Sequence, residues 1–408
     1  MAASDLSSIA YIVKKLYSNK APQNLASRDR VFLSMVPKSG GFTGSNLTVA
    51  LQYGNAMGVS GSLVQAQNIA SSTKGVAFTL TRAKKYGICT VDAETIQATK
   101  DDEGAFVRAL KNEIDSMIDE MGHRLAAELY LDGFGALGQR SSASTNVITL
   151  TSAGDVKNFS VGMTVTASPN SNGSSPRTGG TTVAAVDEDT GTVTLTSAAA
   201  ITSFADSDYL FAAAGAVAGT YTPDNSCVSG LGGWLPMTAP TVGGGDSWFG
   251  VDRAADVGRL AGWRVNATNN TIEENLLTLG TKIVRAGGKP DAILMSPANW
   301  ANLVKSMGTK VLRDQGGTAT AGFEYVNFAL PSGICKVYAD PECPANRGYA
   351  LEMKSWMLRY LGPGIPHVVM DDGLSSLRQS ASDGVEIRGR YWGQLYCVAP
   401  GHNGVIAI

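Results

Sequence analysis

The sequence predicts an α+β fold carrying an inserted small all-β domain, and three stretches carry that prediction. Residues 46–90 alternate apolar and polar side chains on two limbs, as a β-hairpin does. Residues 103–131 repeat apolar side chains at helical spacing. Residues 139–212 lose charge, fill with Ser, Thr, Gly and Ala, and break into short alternating runs.

In the hairpin, Leu47 to Leu51 and Val76 to Thr81 are the alternating limbs, and Gly54 to Gly75 joins them. A two-stranded ribbon is marginal in water by itself, so this one needs a surface to lie on, and a neighbouring copy is one source of it. Arg82, Lys84 and Lys85 follow the second limb, either as a solvated strand end or as intersubunit ion-pair partners. The helix expected over Glu103–Leu131 repeats Phe106, Leu110, Ile114, Met117, Met121, Leu125 and Leu129 on one face. Asp101, Asp102 and Glu103 suit the positive end of its dipole, and Gly133 and Gly135 stop it. At 1.5 Å per residue it is about 40 Å long, a strut rather than a packing element.

Within 139–212, strands are expected at Val147–Thr151, Met163–Ala167, Thr181–Val186 and Thr192–Thr196, with a turn at Asp187 to Gly191. The segment echoes itself. Val147-Ile148-Thr149-Leu150-Thr151-Ser152-Ala153, followed by Phe159, returns as Thr192-Val193-Thr194-Leu195-Thr196-Ser197-Ala198, followed by Phe204. Two copies do not make a solenoid, but they suit a small barrel or sandwich of two strand–turn units. A Gly-rich connector follows. Then come an amphipathic helix over Thr271–Ala286, a buried strand over Asp291–Met295 and a helix over Pro297–Met307. From Phe323 the chain is expected to be mostly strands, ending in an apolar, docked C-terminus from Gly404 to Ile408. Before the hairpin, a short helix from Ser7 to Tyr17 is expected to dock on something larger.

Composition limits the function. The chain has 408 residues, 44% apolar and 17% charged, enough for two or three domains with real cores. Its net charge of −2 gives no electrostatic footprint for gripping nucleic acid. The 47 glycines favour strands, turns and close backbone contacts over a helical bundle. Met1 to Lys15 lacks the apolar run of a signal peptide, and no stretch is long and apolar enough to span a membrane. The five cysteines, Cys89, Cys227, Cys335, Cys343 and Cys397, form no C-x-x-C and are expected to be free thiols.

No catalytic, cofactor-binding or metal-ligating residue can be assigned. His123, His367 and His402 lie on distant segments, without ligand spacing. Gly133 to Gly138 matches G-x-G-x-x-G, but it follows a helix where a nucleotide fingerprint follows a strand. Gly58-Val59-Ser60-Gly61-Ser62 lacks the last glycine of a nucleophile elbow. Asp187 and Asp189 suggest a calcium loop, but Ala198 stands where its bidentate Glu belongs. The expectation is a self-assembling structural subunit that is not an enzyme and needs no cofactor.

Four further stretches stand out: Ser247 to Arg253 with Arg259-Leu260-Ala261-Gly262; Pro290 to Trp300; Tyr349-Ala350-Leu351 with Trp356-Met357-Leu358-Arg359; and Tyr391 to Ile408. With the order of arm, ribbon, strut helix, α/β segment and docked C-terminus, these stretches make the chain resemble a tailed-bacteriophage major capsid protein of the HK97-like fold. The resemblance implies an N-terminal arm at 1–45, an E-loop hairpin at 46–90 and a peripheral domain with the spine helix at 91–138. The all-β insert at 139–212 and a connector at 213–269 would follow. Residues 270–345 would form the axial domain, 346–397 would return to peripheral-domain strands, and 398–408 would add an axial-domain strand. It also implies hexamers and pentamers of the chain itself in an icosahedral virion shell, assembled in the host cytoplasm. That shell would enclose double-stranded DNA without sequence-specific binding and without a membrane. Scaffolding, portal and decoration proteins are the implied partners, with the scaffold supplied separately or by a segment already removed. No motif transfers the Lys–Asn crosslink of some relatives; Lys84 or Lys85 could donate, but a non-covalent shell is expected. The alternatives are an encapsulin-like compartment shell or another virion structural protein.

Overall fold

In a computed structural model, the described residues are 29–98, 109–197, 203–217, 220–241, 247–267, 269–307, 325–369, 377–378 and 383–408. The expected helix at Ser7–Tyr17 and the first turns of the strut helix lie outside them. The chain divides into two compact units. One comprises, among the described residues, Tyr86–Met121 and Pro366–Arg390; the other comprises Arg28–Lys85, Gly122–Ile365 and Tyr391–Ile408. The chain passes between them inside helix Ala109–Glu128 and inside strand Gly384–Cys397.

In the first unit, strand Ala83–Asp92 pairs with strand Gly384–Cys397, whose first half also pairs with His367–Val368 and Leu377–Arg378. Gly87 and Gly389 lie under the helix. A Cβ on either would come within 2.7 Å of Met121 Sδ, so both positions need a bare backbone. This corrects the extent of the hairpin. Residues 83–92 join a different sheet, and the ribbon itself is Asn46–Gly54 against Lys74–Thr81.

The larger unit is organised around a mixed sheet. Its strand order is Trp263–Val265, Gly404–Ala407, Arg347–Leu351, Ala292–Met295, Gly333–Ala339, Val326–Leu330. Ala292–Met295 and Gly404–Ala407 are buried at every position, as the interior strands of a sheet covered on both faces must be. Helix Ile272–Arg285 places Leu276, Leu279 and Ile283 on one face, beside Leu303 of helix Pro297–Met307. Its start is a capping box. Thr271 Oγ1 accepts from Glu274 N at 3.3 Å, and Thr271 N donates to Glu274 Oε2 at 3.0 Å. On the other face Tyr349 meets Tyr130, just past the long helix, with ring centroids 5.9 Å apart. Arg347–Leu351 therefore belongs to the sheet expected for the axial region, not to the returning strands. Trp356–Tyr360 and the second half of Gly384–Cys397 pair antiparallel in a separate sheet.

The all-β insert is a small closed barrel. Strand Ala136–Ser144 pairs with Val147–Leu150, which pairs with Thr192–Leu195, then Thr181–Asp187, then Thr164–Ser168. Tyr209–Val217 closes the ring by pairing with both Thr164–Ser168 and Ala136–Ser144. Thr220–Pro223 adds a seventh strand at the seam. Closure leaves the ring without open edges. The expected bounds of 139–212 are too narrow, because the closing strands begin at Ala136 and run on through Val217. The internal echo becomes adjacency: Ile148 faces Val193 across the ladder. Ile148, Leu150, Val193, Leu195, Phe159 and Phe204 all point into one core. Gly133 and Gly135 both have positive φ after the long helix, and a Cβ on Gly135 would stand 2.3 Å from the Asp224 carbonyl oxygen. The chain thus leads into the barrel and out of it side by side.

Candidate assembly surface

The ribbon grows from a well-built root. Phe78 and Leu80 are fully buried, Phe78 with its ring centroid 5.2 Å from that of Trp234. Thr79 N donates to the Phe249 carbonyl at 2.9 Å. Trp248 packs edge-on to Phe249 with centroids 4.9 Å apart, and the Arg253 guanidinium lies 4.9 Å over Trp248 while donating to Gly233 O at 2.7 Å. Arg259 Nη1 donates to Tyr53 O at 3.1 Å. The stretches Ser247 to Arg253 and Arg259 to Gly262 therefore build the socket that holds the ribbon. Arg82 completes it by donating to Phe42 O and Gly44 O at 2.6 and 2.5 Å.

Beyond the root the ribbon has no core. No side chain of Asn46–Gly54 is buried, and helix Leu63–Asn68 at the tip buries none either. That helix occupies a stretch expected to be loop. Met57 (69% exposed), Val59 (93%), Leu63 (75%), Val64 (64%) and Ile69 (56%) face solvent together at the tip. From Ser39 to Thr73 the sequence carries no Asp, Glu, Lys, Arg or His. A clustered, uncharged, apolar tip on a ribbon about 30 Å long is a surface that asks to be covered.

The expected ion-pair residues separate. Lys84 is exposed. Lys85 is turned inward and bonds to Asp224, with Glu128 Oε1 at 3.6 Å and Cys227 Sγ at 3.3 Å. Burial works against the Lys85 charge, but Glu128 and Asp224 more than offset it and hold its pKa above the usual lysine value. Burial raises the Glu128 carboxyl, which accepts from Val228 N at 2.9 Å. A second hub joins distant segments. Asp340 Oδ2 accepts from Phe32 N at 2.8 Å and from the Tyr130 hydroxyl at 2.7 Å, and Asp340 Oδ1 accepts from Glu342 N at 2.9 Å. Neither hub is signalled by sequence spacing, since their members stand up to 308 residues apart.

The motifs weighed for chemistry have local duties. Asp187 Oδ1 accepts from Asp189 N and Thr190 N at 3.0 and 3.2 Å, capping its turn. Ser60 donates to Gln65 Oε1 at 3.0 Å in the tip. The histidines sit apart: His402 Nδ1 lies 2.7 Å from Glu352 Oε2, His123 Nδ1 lies 3.8 Å from Glu342 Oε1, and Arg390 Nε donates to His367 Nε2 at 3.3 Å. All five cysteines are unbridged, and burial lifts the Cys335 thiol to about 11 and the Cys397 thiol to about 12. Among the described residues no three His, Cys, Asp or Glu side chains gather as a metal-ligand set. Among them, too, no helix is long and apolar enough to cross a membrane.

Residues 210–375, under half of the chain, match the SU10 major capsid protein family. No curated protein sequence matches the chain. The capsid asymmetric unit of cyanophage A-1(L) superposes with a TM-score of 0.52 at 13% identity, covering 97% of this chain and 98% of the other. The capsid of a native GTA particle does so with a TM-score of 0.50 at 11% identity, over 100% and 99%. The holo-SrpI encapsulin complex from Synechococcus elongatus PCC 7942 reaches a TM-score of 0.49 at 8% identity, over 100% and 96%, too low to weigh between the two kinds of shell. The fold is α+β and HK97-like, and the chain is similar to tailed-phage major capsid proteins.

Proposed function

We propose that copies of this chain associate into pentamers and hexamers that close as an icosahedral phage head around double-stranded DNA. The observation that carries this reading is the ribbon: a rooted, coreless arm, uncharged from Ser39 to Thr73, whose apolar tip residues stand exposed. In this reading Asn46–Thr81 serves as the E-loop laid over a neighbouring copy, the helix through Ala109–Glu128 is the spine, and the mixed sheet is the body of the axial domain. The role is structural, and no catalytic step is assigned. Each contact in a permanent assembly of this kind buries on the order of 2,000 Å² or more. A near-neutral chain, with a net charge of −2, suits a container that holds DNA by enclosure and not by sequence-specific grip. Scaffolding, portal and decoration proteins are the proposed partners, and the host cytoplasm is the proposed place of assembly.

Negative-stain microscopy of the expressed protein, alone and with its scaffolding protein, tests the reading. Rings, tubes or shells are expected, and persistent monomers under both conditions would sink it. Nucleic acid recovered from purified particles separates a DNA-filled head from a protein-filled compartment.

A further inference from the structure

Lys85, Glu128, Asp224 and Cys227 meet at one point beside the ribbon's root. Lys85 stands on strand Ala83–Asp92, just past the second limb of the ribbon. Asp224 directly follows strand Thr220–Pro223, where the chain leaves the barrel. Both backbones are held in place. Asp224 N donates to Ala212 O at 2.8 Å, and Lys84 N donates to Ser226 Oγ at 3.4 Å. The Lys85 nitrogen touches an Asp224 carboxyl oxygen, and Glu128 Oε1 lies 3.6 Å from the same nitrogen, a gap that the flexible lysine stem can close. The Lys85 side chain is 16% exposed and that of Asp224 29%, while Glu128 is buried. One cation thus serves two carboxylates where burial makes every charge costly.

We propose that Lys85 and Asp224 condense into an isopeptide bond within one chain, with Glu128 carrying the protons. In the newly folded chain Lys85 is an ammonium. It passes one proton to Glu128, which places it on an Asp224 oxygen. The amine so formed attacks Cγ of the acid so formed. Glu128 then takes a second proton from Nζ and delivers it to the same oxygen, which leaves as water. The Nζ–Cγ bond remains as an amide with one N–H, and Glu128 ends as the carboxylate it began as. Every atom comes from the three side chains, so no co-reactant enters. Contact supplies the effective concentration that a free amine and acid lack. Two partly buried charges become one neutral amide, which removes their desolvation cost. Burial raises the Glu128 carboxyl, as suits a group that takes up a proton and gives it back. Asp224, the most exposed of the three, gives the released water a way out. Cys227 Sγ lies 3.3 Å from the lysine nitrogen, but burial raises its thiol and keeps it protonated, so it does not compete for the acid. The bond closes a loop across 139 positions and clamps the ribbon's root to the barrel's exit. It ties no two copies together.

The mass of the denatured full chain, followed by tandem mass spectrometry of its digest, tests the bond. The natural chain is expected to weigh one water less than its sequence, with a branched peptide joining Lys85 to Asp224. A succinimide at an Asp-Gly step such as Asp132-Gly133 loses the same mass, so the branched peptide decides. Lys85→Arg and Asp224→Ala should keep the water. Glu128→Gln still accepts from Val228 N but carries no proton, and most of its molecules should keep the water too. A natural chain without the branched peptide overturns the proposal, whether it has its full mass or an oxidised Lys85–Cys227 link instead. Complete conversion in Glu128→Gln overturns it as well. If a variant does not fold, the branched peptide of the natural chain still decides whether the bond exists. None of these outcomes depends on whether the chain forms a shell.

Discussion

At the scale of single residues, Lys85 shows why a charge pattern does not announce its partner. Arg82, Lys84 and Lys85 look alike as a basic cluster. Yet one binds two backbone carbonyls, one is exposed, and one is drawn into a buried group with Glu128 and Asp224. Glu128 stands 43 positions from Lys85 and Asp224 stands 139 away, so only the folded chain brings them together. Lys85→Met is expected to cost about 3 kcal/mol in urea unfolding, because it leaves the Glu128 carboxylate buried without its cation. Adding Glu128→Gln should recover much of that loss, since an amide oxygen still accepts from Val228 N and no buried charge remains. Asp340 makes the same point from the acceptor side. Asp340→Ala strands three donors at once and should cost about 3 kcal/mol or more by the same measurement, with faster exchange at Phe32 N.

Elements were far more legible than their partners. Period-two and period-3.6 patterns placed helix Pro297–Met307 to the residue and strand Ala292–Met295 to within one. The amphipathic spacing placed helix Ile272–Arg285 to within one residue at each end; the capping box that starts it is a finding of the structure, and Thr271→Ala should lower stability by about 1 kcal/mol through loss of the cap. The tip helix Leu63–Asn68 was not legible, because six residues with no buried side chain leave no periodic trace. Strand Tyr209–Val217 was missed for a different reason. Its run of Ala and Gly at Ala212 to Ala216 carries little β-propensity, and the strand exists because Tyr209–Phe211 finds barrel ladders on both edges while Ala213–Val217 pairs with Thr220–Pro223. At the ribbon the informative substitution is Leu63→Ser with Val64→Ser. Neither side chain is buried in the chain, so thermal unfolding of the monomer should shift by less than about 0.5 kcal/mol. Particle formation read by sedimentation should drop sharply, and unaltered assembly would remove the tip from the proposed contact. The absence of charge from Ser39 to Thr73 adds that the tip contact should be nearly insensitive to salt.

For the whole molecule, closure of the barrel decides how it can be removed. Cutting at 139–212 would leave Ala136 to Gly138 and Ala213 to Val217 as half-strands with unpaired backbone, an edge that invites aggregation. Cutting at 136–223 removes the whole ring and joins Gly135 to Asp224, which already touch. A short Gly/Ser linker there should therefore give a soluble chain with near-native circular dichroism per residue in the remaining body. The 139–212 deletion should precipitate or expose apolar surface to a fluorescent dye. The larger deletion also removes Lys157 from the Pro341 and Cys343 carbonyls and leaves the Asp340–Arg347 loop to water. Exchange should accelerate in that loop while strand Ala292–Met295 keeps its protection. Collapse of the whole body in the 136–223 deletion would mean instead that the barrel is a structural member of its unit, and that the insert cannot be regarded as a module seated on a finished fold.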